Sequence, residues 1–201
     1  GGGTTDIAMF FEDSIRHTAV IGLGGNNLTS DIAIGMRTPT DQAEEIKKKH
    51  GCASLAQVKD DEMIGVFGVA GREEREVSRQ VLAQIIEPRM EEIFSLANRE
   101  IKRSDYGEML GAGVVLTGGA ARLPGAAVLA EQVFNQPVRV GEPRGVGGVV
   151  DLIKDPKFAT GVGLVLYGYD RRFRNESIDD GNPFESILAR MKGWIGDIFS
   201  N

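Results

Sequence analysis

The sequence is poor in the residues that build disulfide-linked or metal-held folds. Among its 201 residues are one cysteine and two histidines, so it predicts no internal disulfide and no site made of histidine and cysteine ligands. No apolar run reaches the roughly 18 residues that a membrane-spanning helix needs. No signal peptide is recognisable, so the reducing cytoplasm is the expected compartment.

Positive charge is also in short supply. The chain has 23 Lys and Arg against 29 Asp and Glu, a formal net charge of −6. A protein that binds nucleic acid non-specifically needs a clustered positive field, so no nucleic-acid partner is expected. Hydrophobic residues make up 41% of the chain, which is typical of a globular protein with one domain or two small ones.

Glycine is abundant and clustered. The 27 glycines are nearly twice the usual share of about 7%. One cluster, Gly1-Gly2-Gly3, is followed by Thr4 and Thr5. Glycine lets the backbone approach an anion closely, and the two hydroxyls add donors, so this turn is a candidate phosphate site. An ordinary turn between strands is an equally good interpretation of this cluster taken alone.

A second glycine turn follows the β-branched run 113–117. Gly118, Gly119 and Ala120 lead from that predicted strand towards a helix that extends to Phe134. Such a turn exposes backbone N–H groups at a helix N-terminus, where anions bind. A tight strand-to-helix turn explains it as well, but two glycine turns at the ends of different strands favour a ligand-binding role.

The remaining pattern alternates strands and helices. Residues 7–11 and 15–21 predict a hairpin, 64–69 and 138–140 predict strands, and the apolar spacing around Pro88 predicts a long helix that the proline bends. Asn27 or Thr29 is the expected N-cap of one helix, and Thr38 that of the next, which Gly51 should end. Residues 158–169 are so apolar that we expect them in a core.

The last thirty residues change character. Residues 170–182 are mostly polar and charged and predict a flexible linker. Beyond it, 183–200 predict an amphipathic helix, whose bulky apolar face favours a membrane interface. The alternative is a last helix that packs on the domain. The predicted membrane-binding residues are Phe184, Ile187, Leu188, Met191, Trp194, Ile195, Ile198 and Phe199.

These motifs together resemble those of a known superfamily. Residues 1–7 are similar to the second phosphate loop of the actin-like ATPases, 114–125 to their adenosine loop, and 43–47 to the helix whose Glu and Lys flank the adenosine. Within that superfamily the chain resembles the FtsA family of bacterial cell division proteins, over residues 1 to about 169 and again in the terminal helix. The stretches that carry this are 16–18, 25–33, 43–52, 85–89, 137–143 and 159–164.

The resemblance implies an α/β fold, one half of an actin-like (ribonuclease H-like) ATPase. A mixed sheet with flanking helices, subdomain 2A, would comprise 1–24 and 111–169, and a small inserted α/β subdomain, 2B, would comprise 25–110. It implies ATP with Mg²⁺ as cofactors. Gly1, Gly2, Gly3, Thr4 and Thr5 would meet phosphate, Glu44 and Lys47 the adenosine side, and Gly118, Gly119 and Ala120 the adenine and ribose.

The sequence also departs from the family pattern. No initiator Met precedes Gly1, and neither the strand nor the Asp that usually leads into this glycine loop is present. We therefore expect the C-terminal part of a longer protein. Because acidic groups from the other half hold the metal in this superfamily, we expect weak or absent nucleotide affinity here.

The function implied by the resemblance is that of a cell division protein. Such a protein is an ATP-binding tether with at most weak ATPase activity, which anchors filaments of the tubulin-like FtsZ to the cytoplasmic face of the inner membrane at the division septum. It assembles with itself like actin and with other division proteins, and Arg89 in 2B is the expected contact for the FtsZ C-terminal tail. An Hsp70-like chaperone, a sugar kinase fragment, or an inert fragment are the alternatives.

Overall fold

The computed structural model describes residues 1–69, 73–147 and 153–179. Within these ranges no helix is both long enough and apolar enough to cross a bilayer. The regular elements are the strands β1 (Thr5–Phe11), β2 (Ser14–Ile21), β3 (Met63–Phe67), β4 (Glu74–Ser78), β5 (Val114–Leu116) and β6 (Val138–Val140), and the helices α1 (Gly25–Gly35), α2 (Thr40–His50), α3 (Arg79–Arg103), α4 (Ala126–Phe134) and α5 (Ala159–Asp179).

Strands β1 and β2 form the predicted hairpin. They pair antiparallel, with Met9 opposite His17 and a register shift between Met9 and Phe10. Glu12 and Asp13 at the turn both have positive φ, 50° and 57°, which suits the right-handed twist of a tight hairpin. Alternation along the strands buries Met9 and Ile21 against the helices, so one face of the hairpin belongs to the core.

The strands pair two by two in the described part of the chain. β1 with β2 and β3 with β4 are antiparallel, whereas β5 with β6 is parallel. The predicted mixture of strand directions is therefore confirmed. Among the described residues the hairpin and the β5–β6 pair of 2A form separate two-stranded sheets, because they are not hydrogen-bonded to each other.

Helix α3 forms the centre of the core. It continues through Pro88 for 25 residues, as the apolar spacing predicts. Its buried face meets α1, α4 and the hairpin, and the resulting cluster joins the two predicted subdomains around Leu28, Ile32, Leu82, Ile86, Met90, Phe94, Leu129 and Phe134. Each fully buried side chain of this size contributes about 1.5–3 kcal/mol.

The starts of α1 and α2 differ from prediction. α1 begins at Gly25, so Asn27 is its third residue, and Asn27 caps from inside by accepting a hydrogen bond from the Gly24 N–H at 2.8 Å. Thr38 is not an N-cap either, because α2 starts at Thr40, after Pro39. The Thr38 amide instead donates to the Ala33 carbonyl at 3.0 Å and closes the turn between the helices.

Helix α5 contradicts two expectations. Leu164, Val165, Tyr167 and Tyr169 are between 62% and 69% exposed, so this apolar stretch does not lie in a core. Apolar residues become buried only where another surface covers them. Among the described residues, α5 packs closely only against the short 3₁₀ turn Pro156–Phe158 that directly precedes it. The helix also continues to Asp179, through most of the predicted linker, since no Gly or Pro interrupts residues 169–180.

Candidate functional site

The first glycine loop is held by the beginning of α1. The carbonyl oxygens of Gly1 and Gly2 accept hydrogen bonds from the amides of Gly25 (2.9 Å) and Asn26 (2.8 Å). The first amides of a helix have no acceptor within it, and here the loop supplies one to each. The position of the loop is therefore set by the N-terminus of α1.

Gly24 makes this approach possible. A Cβ atom at Gly24 would lie 2.6 Å from the Gly2 carbonyl oxygen and 2.7 Å from that of Gly1. A side chain would force the loop away from the helix. From the sequence, Gly24 marks only the end of the sheet; its role depends on a contact between segments more than twenty residues apart, which no local pattern reveals.

The two threonines of the loop have different roles. The Thr5 hydroxyl donates to the Leu23 carbonyl at 2.9 Å, which ties the start of β1 to the residue before Gly24. The Thr4 hydroxyl donates to the Asp6 carboxylate at 3.2 Å, in an exposed position. Gly2 and Gly3 are exposed, and their amides have no acceptor among the described residues, so they remain available to an anion.

Lys47 connects α2 to the same helix end. Its ammonium group donates to the Gly25 carbonyl (2.9 Å) and to the Thr29 hydroxyl (2.7 Å), and it lies 2.6 Å from the Glu44 carboxylate. Thr29 in turn donates to Glu44 at 2.5 Å. Lys47 is 12% exposed, and an ammonium group has three donors, all of which are used. Thr29 was predicted as a possible N-cap, but it lies inside α1 and instead links Lys47 to Glu44.

This network shifts the ionisation of Glu44. Partial burial raises the pKa of Glu44, but the hydrogen bonds from Lys47 and Thr29 outweigh it, so the pKa lies below its ordinary value. Glu44 is therefore a carboxylate at neutral pH. The Glu44–Lys47 ion pair is therefore held in a fixed position beside the α1 N-terminus and carries no net charge.

The second glycine turn follows β5. Gly118 has a positive φ of 94°, which glycine adopts without strain, and its amide donates to the Pro156 carbonyl at 3.1 Å. A short 3₁₀ turn, Ala120–Arg122, comes next. The amides of Gly119 and Ala120 find no acceptor in the described part of the chain, as at the start of any helical turn.

The structure brings the two glycine turns together. Gly1 and Thr5 from the first turn and Thr117 and Ala120 beside the second line a small cavity of about 70 Å³, together with Phe94 of α3. A Cβ atom on Gly118 would lie 3.9 Å from the Gly1 nitrogen, and one on Gly25 would lie 3.8 Å from the Lys47 ammonium. Segments from four places in the sequence thus meet at one cleft.

The unpaired donors of the two glycine turns fit an anionic ligand better than a metal. Backbone amides of Gly2, Gly3, Gly119 and Ala120 are unpaired within the described residues. In contrast, no group of three or more side chains suited to metal binding occurs in those ranges. The residues present therefore fit a phosphate-bearing ligand, while Mg²⁺ has no complete set of ligands among them.

Arg89 lies elsewhere. Its guanidinium group binds the Asp31 carboxylate of α1 in a bidentate pair, at 2.6 and 3.1 Å, and also contacts Glu92 on its own helix. The hydrogen bonds with Asp31 raise the pKa of Arg89 above its ordinary value. Arg89 thus joins α1 to α3 and is not among the residues that line the cavity. Asp31 cannot be recognised as its partner from the sequence, because the two residues are 58 positions apart.

The predicted membrane-binding helix, 183–200, lies outside the described residues, and so do positions 180–182 of the predicted linker.

Comparison with known proteins assigns a family to this arrangement. The family model described as "Cell division protein FtsA" matches residues 1–163. Curated proteins of that name are 45% identical in Pseudomonas aeruginosa, covering 97% of this chain and 48% of the relative, and 40% identical in Escherichia coli K12, covering 97% and 49%. The chain therefore spans about half the length of these relatives.

Solved structures show the same fold at low identity. MreB5 of Spiroplasma citri bound to AMPPNP superposes with a TM-score of 0.70 at 18% identity, covering 88% of this chain and 53% of that one. A PilM–PilN type IV pilus biogenesis complex gives 0.60 at 20%, covering 84% and 44%. These likenesses establish an actin-like fold and confirm the predicted fold class.

Proposed function

The chain belongs to the FtsA family of cell division proteins, and we propose that it supplies one wall of a nucleotide site in an ATP-binding protein of that family. The supporting observation is the meeting of two glycine turns and the α1 N-terminus at one cleft, where Lys47 holds the Gly25 carbonyl. Unpaired amides at both turns suit phosphate oxygens. The nucleotide-bound MreB5 neighbours are consistent with this use of the fold.

Within this proposal the predicted residues divide into contacts and supports. Gly1, Gly2, Gly3 and Thr4 would face the phosphates, and Gly118, Gly119 and Ala120 the adenine and ribose. Thr5, Glu44 and Lys47 act as supports, because their polar groups are already paired with Leu23, Thr29 and Gly25. Lys47 and Glu44 hold the wall on the adenosine side in place.

The metal requires the rest of the protein. Because the described residues offer no complete set of ligands, we assign Mg²⁺ and any weak ATPase activity to the intact protein, which in the relatives is about twice as long. Isothermal calorimetry with Mg-ATP and the 201-residue chain should give little or no heat. Micromolar binding by this chain alone would show that the second wall is dispensable.

We further propose that the intact protein tethers FtsZ filaments to the inner membrane at the septum. Arg89 supports the FtsZ part of this proposal, because its side chain is 28% exposed and its guanidinium group already binds two carboxylates, those of Asp31 and Glu92. An acidic tail would compete with Asp31 and Glu92 for its guanidinium group. Self-assembly into actin-like filaments is proposed from the fold; a MamK double helical filament has the same fold with a TM-score of 0.54 at 13% identity.

A labelled FtsZ C-terminal tail peptide, titrated with the chain and followed by fluorescence anisotropy, tests the FtsZ proposal. Saturable binding is expected, weakened by Arg89→Glu. Arg103→Glu is the matched control, since it makes the same charge change on the same helix at a side chain that is 77% exposed. Equal weakening by both variants, or no binding by a chain with a folded circular dichroism spectrum, would contradict the proposal.

Flotation with liposomes of bacterial lipid composition tests the membrane proposal. Trp194→Asp and Ile195→Asp should abolish flotation, because each places a carboxylate on the predicted apolar face. Ser186→Asp on the predicted polar face is the control and should float like the parent chain. Unchanged flotation of the first two variants would refute membrane binding by this helix.

A further inference from the structure

A groove runs between the second half of α3 and α4. Its volume is about 430 Å³, far larger than that of the glycine cleft. The two walls are fixed to each other, because the Asn98 side chain donates to the Val133 carbonyl at 2.7 Å and the rings of Phe94 and Phe134 pack 5.8 Å apart. The groove is therefore a preformed feature of the core packing. Arg89 is not among its lining residues.

The two ends of the groove carry opposite charge. Glu87 and Glu91 line one end, and Arg99 and Lys102 line the other. Like charges four residues apart on a helix repel each other, so the acidic end favours a cation. Glu91, Arg99 and Lys102 are exposed and form no ion pair or side-chain hydrogen bond within the described ranges. Glu87 accepts a hydrogen bond from the Leu55 amide at 3.1 Å, but neither end is paired with an opposite charge in the part of the chain that the structure describes.

The spacing of these charges restricts the ligand. Glu91 and Arg99 are separated by about 12 Å along the helix axis. A lipid headgroup or a free amino acid is too short to reach both. In an extended peptide, side chains four positions apart are separated by about 13 Å, which matches the groove.

The middle of the groove favours an extended segment over a helix. Ser95 and Gln132 line it, and their side chains can hydrogen-bond to an extended backbone. A docking helix has its backbone groups already paired and needs an apolar trough, for which Leu129 and Val133 alone are too few. We propose that this groove binds an extended segment of a partner protein that carries a Lys or Arg and, four positions away, an Asp or Glu.

Three labelled pentapeptides with blocked ends test this proposal: Lys-Ser-Val-Ser-Glu, Lys-Ser-Val-Ser-Lys and Glu-Ser-Val-Ser-Glu. Fluorescence anisotropy with the 201-residue chain should show the mixed peptide binding several-fold more tightly than either other peptide. Glu91→Lys should transfer the preference to the Glu/Glu peptide, and Arg99→Glu should transfer it to the Lys/Lys peptide. Each reversal should change the affinity roughly five-fold. Glu73→Lys, an exposed change outside the groove, is the control.

Equal binding of all three peptides, no saturable binding of the mixed peptide, or preferences unmoved by Glu91→Lys and Arg99→Glu would each overturn the proposal. Circular dichroism confirms that each variant is folded. Sedimentation velocity distinguishes the other occupant: a dimer of the parent chain that Glu91→Lys dissociates would show that a second copy covers the groove, and would also overturn it.

Discussion

The ammonium group of Lys47 lies 2.9 Å from the carbonyl oxygen of Gly25, and this bond connects two helices to the glycine loop. The Gly25 amide donates to the Gly1 carbonyl at 2.9 Å. Gly25 therefore accepts a hydrogen bond from α2 and donates one to the glycine loop. The loop, the α1 N-terminus and α2 thus form a single hydrogen-bonded unit. A substitution at Lys47 should therefore alter the position of Gly1, because Gly25 is hydrogen-bonded to both residues.

Lys47→Met should lower the free energy of unfolding by about 2 kcal/mol, because it leaves Glu44 with a partly buried charge and removes a donor from Thr29 and Gly25. Urea denaturation followed by circular dichroism measures the loss. Lys48→Met, at a neighbouring side chain that is 58% exposed, should cost less than about 0.5 kcal/mol. Equal losses in both variants would mean that the network adds no stability beyond surface charge.

Gly24→Ala should destabilise the chain by about 1–3 kcal/mol, since the new Cβ atom would overlap two carbonyl oxygens of the loop. Gly22→Ala is the control, because nothing lies within 4 Å of its Cβ position. Chemical denaturation compares the two. In the Gly24 variant, amide NMR signals of the loop and of α1 should shift together. An unshifted spectrum and an unchanged stability would contradict the close contact between the loop and the α1 N-terminus.

Local patterns predicted the elements better than their ends. The hairpin, the long helix through Pro88 and the two glycine turns follow from alternation, helical spacing and glycine content. The start of α1 does not, because Asn27 caps from the third helical position and the first amides of α1 are satisfied by Gly1 and Gly2. That arrangement depends on a contact across the hairpin, which a short window of sequence does not contain.

The sequence allowed us to name most residues of the candidate site, but not to predict which of them face the cleft and which hold the others in place. The glycine turns were identified from their glycine clusters and the Glu44–Lys47 pair by resemblance. The buried Thr29 was predicted only as a possible N-cap, because its contacts with the pair come from a different helix. The prediction that residues 158–169 lie in a core was wrong for a different reason. Apolar content measures the tendency to be buried, but in the described chain helix α5 packs closely only against the short 3₁₀ turn that precedes it.

The Asp31–Arg89 pair should couple α1 to α3 energetically. In a double-mutant cycle with Asp31→Asn and Arg89→Gln, the coupling free energy should be about 0.5–1 kcal/mol, because both side chains are 28% exposed and water screens the pair. Denaturation of the four chains gives this value. Asp31→Asn should also strengthen binding of the FtsZ tail peptide, since it releases Arg89 from a competing carboxylate; weaker binding would contradict that competition.

Stability should fall as the pH decreases from about 7 to about 5, and His50 should cause much of the fall. Burial, together with the positive charges of Arg79 and Lys49, lowers the pKa of His50 below its ordinary value of 6.5. The unfolded chain therefore binds a proton at a higher pH than the folded chain, and the free energy of unfolding rises with pH across that window. Stability is greatest above the ordinary value and declines as the pH falls through the lower, folded value. His50→Gln should flatten this dependence in urea titrations at several pH values, without disturbing the hydrogen bond from Arg79 to the His50 carbonyl. If the free energy of unfolding of that variant depends on pH as steeply as that of the parent chain, groups other than His50 take up the proton.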